Sequence, residues 1–82
     1  MHEFTIAKAI LKGVLKEVSE HNAKKISRVG LRVGLLKMVT PVSLQNAFDI
    51  VSSGTIANQA RLDVEEVPGD ELSIINIEIE KE

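Results

Sequence analysis

Near the start of the chain, apolar residues recur at Ile6, Ala7, Ile10, Leu11, Val14, Leu15 and Val18. Alternating steps of one and three place them on one face of an α-helix, predicted over Phe4 to Glu20. Lys8, Lys12 and Lys16 stand at successive i,i+4 positions on the other side and read as a solvated ridge, with Gly13 the weak helix former in between. Asn22 suits the left-handed position just past a helix end, and His21 and Lys24 suit the negative end of the dipole. That structural role is preferred to metal binding for His21.

From Ile26 to Leu36 the period changes to two. Val29, Leu31, Val33 and Leu35 alternate with Arg28, Gly30, Arg32 and Gly34, the pattern of a half-buried strand. The glycines mark either a close approach of another backbone or tolerated weak spots, and the arginines are expected to meet acidic neighbours across the sheet. Thr40-Pro41 supplies an N-cap oxygen and the preset φ of a first helical residue. The second helix it opens carries the stripe Leu44, Ala47, Phe48 and Val51, and Gly54 is expected to cap it. After a polar link from Thr55 to Ala60, Leu62 and Val64 alternate with Arg61, Asp63 and Glu65 as a second strand. Val67-Pro68-Gly69-Asp70 reads as a type II turn and Leu72 to Glu80 as a third strand. In that strand the apolar set changes face between Ile74 and Ile75, which predicts a bulge or burial on both sides. A type II turn matches the twist of a two-residue hairpin poorly, so this junction stands out as abrupt.

Helix, strand, helix, strand, strand implies an α/β (α+β) fold of two layers: two helices packed on one face of a three-stranded mixed β-sheet, with the strand order open. Eighty-two residues make one domain, 1–82, small enough for oligomerisation to add to its stability. Ten basic against twelve acidic residues, a net charge of -2, give no bulk attraction for nucleic acid. Phe4 and Phe48, the only aromatics, provide no stacking platform for single strands. The absence of cysteine excludes a disulfide framework, a cysteine zinc ribbon and a thiol nucleophile. With no secretory pattern and no apolar run of the roughly 20 residues that span a bilayer, no membrane association is expected and the cytoplasm is the expected location. There is no phosphate-binding or dinucleotide glycine pattern before a helix, and no spacing joins a nucleophile to a base; an enzyme is not expected.

One stretch carries candidate chemistry. In Met1-His2-Glu3 the free amine, the deprotonated His2 amide and the nearer imidazole nitrogen close a five- and a six-membered ring around one ion. Three nearly coplanar nitrogens favour square or tetragonal geometry, hence Ni(II) or Cu(II) over Zn(II) or Mg(II). The Glu3 amide, a partner's side chain or solvent would fill the fourth position. Histidine at position two is by itself a weak signal, since a lone histidine near a terminus is ordinarily a solvated side chain. Placed at the mouth of a rigid helix, the chelate would be accessible to a partner. The helix dipole would repel the cation, and the Glu3 carboxylate would partly offset that field.

Met1-His2-Glu3, Ile6-Ala7, the helix end from Glu20 to Lys25, Val29 to Gly34, Pro41-Val42-Ser43-Leu44 with Ala47-Phe48, Gly54-Thr55-Ile56-Ala57, Glu65-Glu66-Val67-Pro68, Glu71-Leu72-Ser73-Ile74 and Ile77-Glu78 together resemble the HypA/HybF family over nearly the whole chain. These are nickel metallochaperones for [NiFe]-hydrogenase and, in some organisms, urease. The resemblance implies that Met1, His2 and Glu3 form the nickel site, and that nickel is handed on with a HypB-type GTPase by docking on the hydrogenase large subunit. The departure is large: the family's zinc-binding segment with two CxxC pairs would fall between Pro68 and Gly69 and is missing, by excision or in a naturally short homologue. No zinc is therefore expected. Closing so long a gap with a short turn would favour a homodimer that exchanges its last strand. The other reading is an interaction or scaffold domain that docks maturation partners without carrying metal.

Overall fold

The periodic face of the first helix and the alternating face of the first strand meet in one core. The computed structural model describes residues 2–81. It contains α1 (His2–Val18), β1 (Ala23–Gly34), a single 3-10 turn (Leu35–Lys37), α2 (Pro41–Val51), β2 (Arg61–Val67) and β3 (Leu72–Lys81). Ile6, Ala7, Ile10, Val14 and Val18 from α1 are buried with Leu44, Ala47 and Phe48 from α2 and Ile26, Val29, Leu31 and Val33 from β1. Each fully buried large side chain contributes about 1.5–3 kcal/mol of hydrophobic stabilisation. The helices form one layer and the sheet the other. No helix among the described residues is long and apolar enough to cross a membrane.

Sheet order is β2-β1-β3, with β1 parallel to β2 and antiparallel to β3. A parallel pair needs a crossover, and α2 supplies it between β1 and β2. Because β1 is central, the connection from β2 to β3 is not a hairpin. It steps over the end of β1, which explains why a tight hairpin turn fits the junction so badly. Gly69 takes φ 86, as the third position of a type II turn requires. The crossing segment hydrogen-bonds to the strand end beneath it: Gly34 N–H donates to Glu71 O at 2.7 Å and Leu36 N–H to Gly69 O at 2.8 Å. A Cβ on Gly34 would collide with the Gly69 carbonyl and the Asp70 and Glu71 backbone. Of the two readings of that glycine, close backbone approach is the correct one.

At Gly30 no backbone comes close: the crowding group is the Asn76 side chain. The register of β1 on β3 slips between Gly30 and Leu31, which face Asn76 and Ile74, so Ile75 is the extra residue of a bulge. A bulge interrupts the ladder locally, and the Asn76 amide oxygen accepts from Gly30 N–H at 3.1 Å. On the face away from the helices, Arg28 pairs with Asp63 at 2.7 Å and lies 3.9 Å from Glu78, while Arg32 lies 3.4 Å from Glu65. The hydrogen bond from Arg28 to Asp63, with the charges of Asp63 and Glu78, raises the guanidinium pKa further above its ordinary value.

Three local expectations are corrected. Leu35 does not continue the core face of β1: the chain has turned into the 3-10 segment, and Leu35, Leu36 and Met38 are exposed, with Met38 at φ 59. The second helix ends at Val51 with Ser52 as C-cap, because after the last ladder bond, Ser52 N–H to Phe48 O at 2.9 Å, Ser53 N–H turns to Ile50 O; Gly54, φ 83, lies in the following turn. The link from Thr55 to Ala60 is not simply polar, since Ala57 and Ala60 are buried. The start of α2 is as expected: Thr40 and Ser43 form a reciprocal cap, and Pro41 opens the helix.

Candidate metal centre

The first buried residue of α1 is Ile6, so the turn before it projects past the core. His2 opens the helix and is exposed; Glu3 is half-buried. Met1, which would supply the amine of the chelate, lies outside the described residues. Starting a helix at position two has a chemical consequence. The first four N–H groups of an α-helix have no carbonyl within the helix to bond, so helix formation does not occupy the His2 amide, which the chelate needs as a deprotonated ligand.

The same turn concentrates positive potential from the helix dipole. Hydrogen bonding, including that to its own backbone N–H, and nearby positive charge hold the Glu3 carboxyl below the ordinary glutamate pKa. Glu3 is therefore ionised at neutral pH, and it places a carboxylate where the helix would otherwise oppose a cation.

Among the described residues, no three His, Cys, Asp or Glu side chains come together as a metal cluster. The chelate expected at this end needs no such cluster, since it draws on backbone nitrogens as well as the His2 imidazole. The second histidine cannot join it. His21 follows the far end of α1, where its N–H bonds to Val18 O at 3.0 Å, and the length of the helix separates the two by about 24 Å at 1.5 Å per residue. This agrees with the helix-end role expected for His21, as does the left-handed Asn22 at φ 53.

Residues 1–78 match the family described as HypA, hydrogenase/urease nickel incorporation, metallochaperone. The chain belongs to the HypA family. Its relatives include the hydrogenase maturation factor HypA of Archaeoglobus fulgidus, 42% identical over 64 residues that make up 78% of this chain and 58% of that protein. The HypA of Chlorobium limicola is 40% identical over 67 residues, 82% of this chain and 58% of its own length. The HypA of Dehalococcoides mccartyi is 36% identical over 70 residues, 85% and 59% respectively. The chain thus spans somewhat less than three fifths of each of these three relatives. Its fold is similar to the solution structure of the Ni metallochaperone HypA from Helicobacter pylori, with a TM-score of 0.80 at 15% identity over the whole of both chains. That likeness supports the two-layer fold.

Sequence reasoning did not single out Gln45 or Asn76. Gln45 accepts from Leu62 N–H at 2.8 Å and donates to Ala60 O at 3.0 Å and Asp49 Oδ1 at 2.8 Å, tying α2 to the start of β2. Both are polar residues beside apolar stripes, the only trace they leave in a one-dimensional pattern.

Proposed function

We propose that this domain binds Ni(II) as cargo through the Met1 amine, the His2 amide and the His2 imidazole, with Glu3 supplying nearby negative charge and a candidate fourth ligand in its amide. The ion would then pass to a [NiFe]-hydrogenase under maturation, or to urease, in the cytoplasm. A HypB-type GTPase and the hydrogenase large subunit are the partners this reading assigns. A second copy enters it as a homodimer exchanging β3, populated where the β2–β3 connection is too short to close.

One observation carries the reading: His2 is the exposed first residue of α1, in the turn whose backbone amides the helix leaves without acceptors. Family membership supports nickel as the ion, since planar nitrogen donors alone suit Cu(II) as well as Ni(II). An interaction domain that carries no metal is the other reading, favoured by the polar open face of the sheet.

The test is a Ni(II) titration at neutral pH by absorbance and calorimetry. It compares the chain with His2→Ala and with a version whose amine is buried in a peptide bond by an N-terminal extension. A one-to-one site with a weak planar-nickel d-d band, lost in both variants, is expected. Equal binding by all three would sink the terminal chelate and leave the interaction domain standing.

A further inference from the structure

The outer surface of the helix layer, away from the sheet, carries a charge pattern that the fold does not use. Lys8, Lys12 and Lys16 stand on one exposed row of α1, and none of them enters an ion pair among the described residues. Each neighbouring pair places like charges at i,i+4, an arrangement that mildly destabilises a helix. The acids of the helix layer all lie elsewhere. Glu3 shares its row with buried Ala7, and Glu17 follows Gly13, whose added Cβ would lie 3.1 Å from Ile74 Cδ1 of β3. Asp49 accepts from Gln45 at 2.8 Å, on the flank of α2 that Gln45 docks on β2, and Glu20 comes one turn after Lys16, past the helix end. Beside the lysine row runs an apolar seam. At about 100° per residue, Phe4, Leu11 and Leu15 fall opposite Gly13, on the side of α1 that meets α2, and Ile50 falls on the flank of α2 away from Gln45. Leu11 and Leu15 are partly buried there, whereas Phe4 and Ile50 are 41% and 64% exposed.

We infer that this surface takes an acidic amphipathic helix of a partner protein, laid along α1 with carboxylates at i,i+4 on the lysine row and an apolar stripe on the seam. Spacing and charge select this occupant. Successive lysines are about 6 Å apart along α1, the distance between residues four apart on a second helix. A second copy cannot supply the acidic row, because no helix of this chain carries two acids at that spacing: α1 has Glu3 and Glu17, and α2 has Asp49 alone. Phosphate surfaces fit less well. A chain of net charge -2 sets its remaining charge against a nucleic acid or an anionic membrane, and two exposed apolar side chains are too few to anchor a helix face in lipid. Lys8 lies about 9 Å along α1 from His2, so this surface does not include the amino-terminal chelate.

The probe is a fluorescein-labelled helical peptide of about 20 residues, long enough to hold a helix, with glutamates at three successive i,i+4 positions and leucines along the adjacent stripe. It is compared by anisotropy with a version carrying glutamine for glutamate and with one of the same composition whose glutamates are spread around the helix. At about 20 mM salt, where screening is weak, the glutamate peptide is expected to saturate below about 1 mM, with both altered peptides at least about tenfold weaker. Lys12→Glu, at the centre of the row, should weaken it about tenfold and Ile50→Ser about threefold. Arg61→Glu, the same charge change beside Gln45 and Asp49 on the other flank of α2, should leave it within about twofold. Circular dichroism checks that each variant folds. Equal binding of glutamate and glutamine peptides, no saturation by about 1 mM, or an equal loss in Lys12→Glu and Arg61→Glu would overturn the inference. So would tighter binding, through the same lysines, of duplex DNA or of vesicles made of phosphatidylserine and phosphatidylcholine in equal parts.

Discussion

Among single residues, Gly34 shows most plainly how position sets cost. The backbone that crosses from β2 to β3 lies directly on it, and backbone cannot swing aside as the end of a flexible side chain can. Gly34→Ala is therefore expected to destabilise the domain by about 1–3 kcal/mol, the range for forcing extra volume into packed structure. Urea denaturation measures it, and an unchanged midpoint would refute the close-approach account. The alternating glycines were legible as a possible approach; what approaches was not, because that depends on strand order. Met1-His2-Glu3 was legible in the same limited way. Spacing placed the start of the first helix at Phe4, two residues after the His2 at which it begins, and the proposed metal comes from family membership and not from the three residues.

Between elements, the long periodic signals and the structure agree, and the disagreements gather at the ends. Period 3.6 in α1 and period two in β1 each persist over enough residues to fix element type, because one face of each must enter the core. Ends are decided by local hydrogen bonds, which periodicity does not encode. Ser53 N–H turning to Ile50 O closes α2 before Gly54, and the Leu35–Lys37 turn ends β1 before Leu35 reaches the core face. The contact between α2 and β2 depends on one such detail. Gln45 satisfies both the Leu62 N–H and the Ala60 carbonyl at partly buried positions. Gln45→Ala leaves a donor and an acceptor without partners where water enters poorly, a loss of about 1–3 kcal/mol. Hydrogen exchange provides the discriminating readout: the Leu62 amide should lose protection in the variant more than the Val29 amide in β1. Equal loss at both would mean that Gln45 supports the fold only as a whole and does not dock one element on another.

For the molecule as a whole, the decisive geometry is the path from β2 to β3 across β1. Two strand spacings require about 9.6 Å. The five residue steps from Val67 to Leu72 reach about 17 Å when extended, so the connection has slack, part of which it uses to arch over Gly34. A long segment between Pro68 and Gly69, as the family resemblance implies, would leave from the crest of that arch without disturbing the sheet. The same reach also suffices for closure without it. By this length argument the connection closes within one copy, so exchange of β3 is not required and the 9.0 kDa chain is expected to sediment as a monomer at micromolar concentration. Deleting Gly69 and Asp70 together cuts the reach to about 10 Å, which leaves nothing for the arch. In that variant β3 can pair antiparallel with β1 only by reaching a second copy, so sedimentation should find a dimer whose fraction rises with concentration. A dimeric parent, or a monomeric folded deletion, would show that the length of this crossing does not control where β3 pairs.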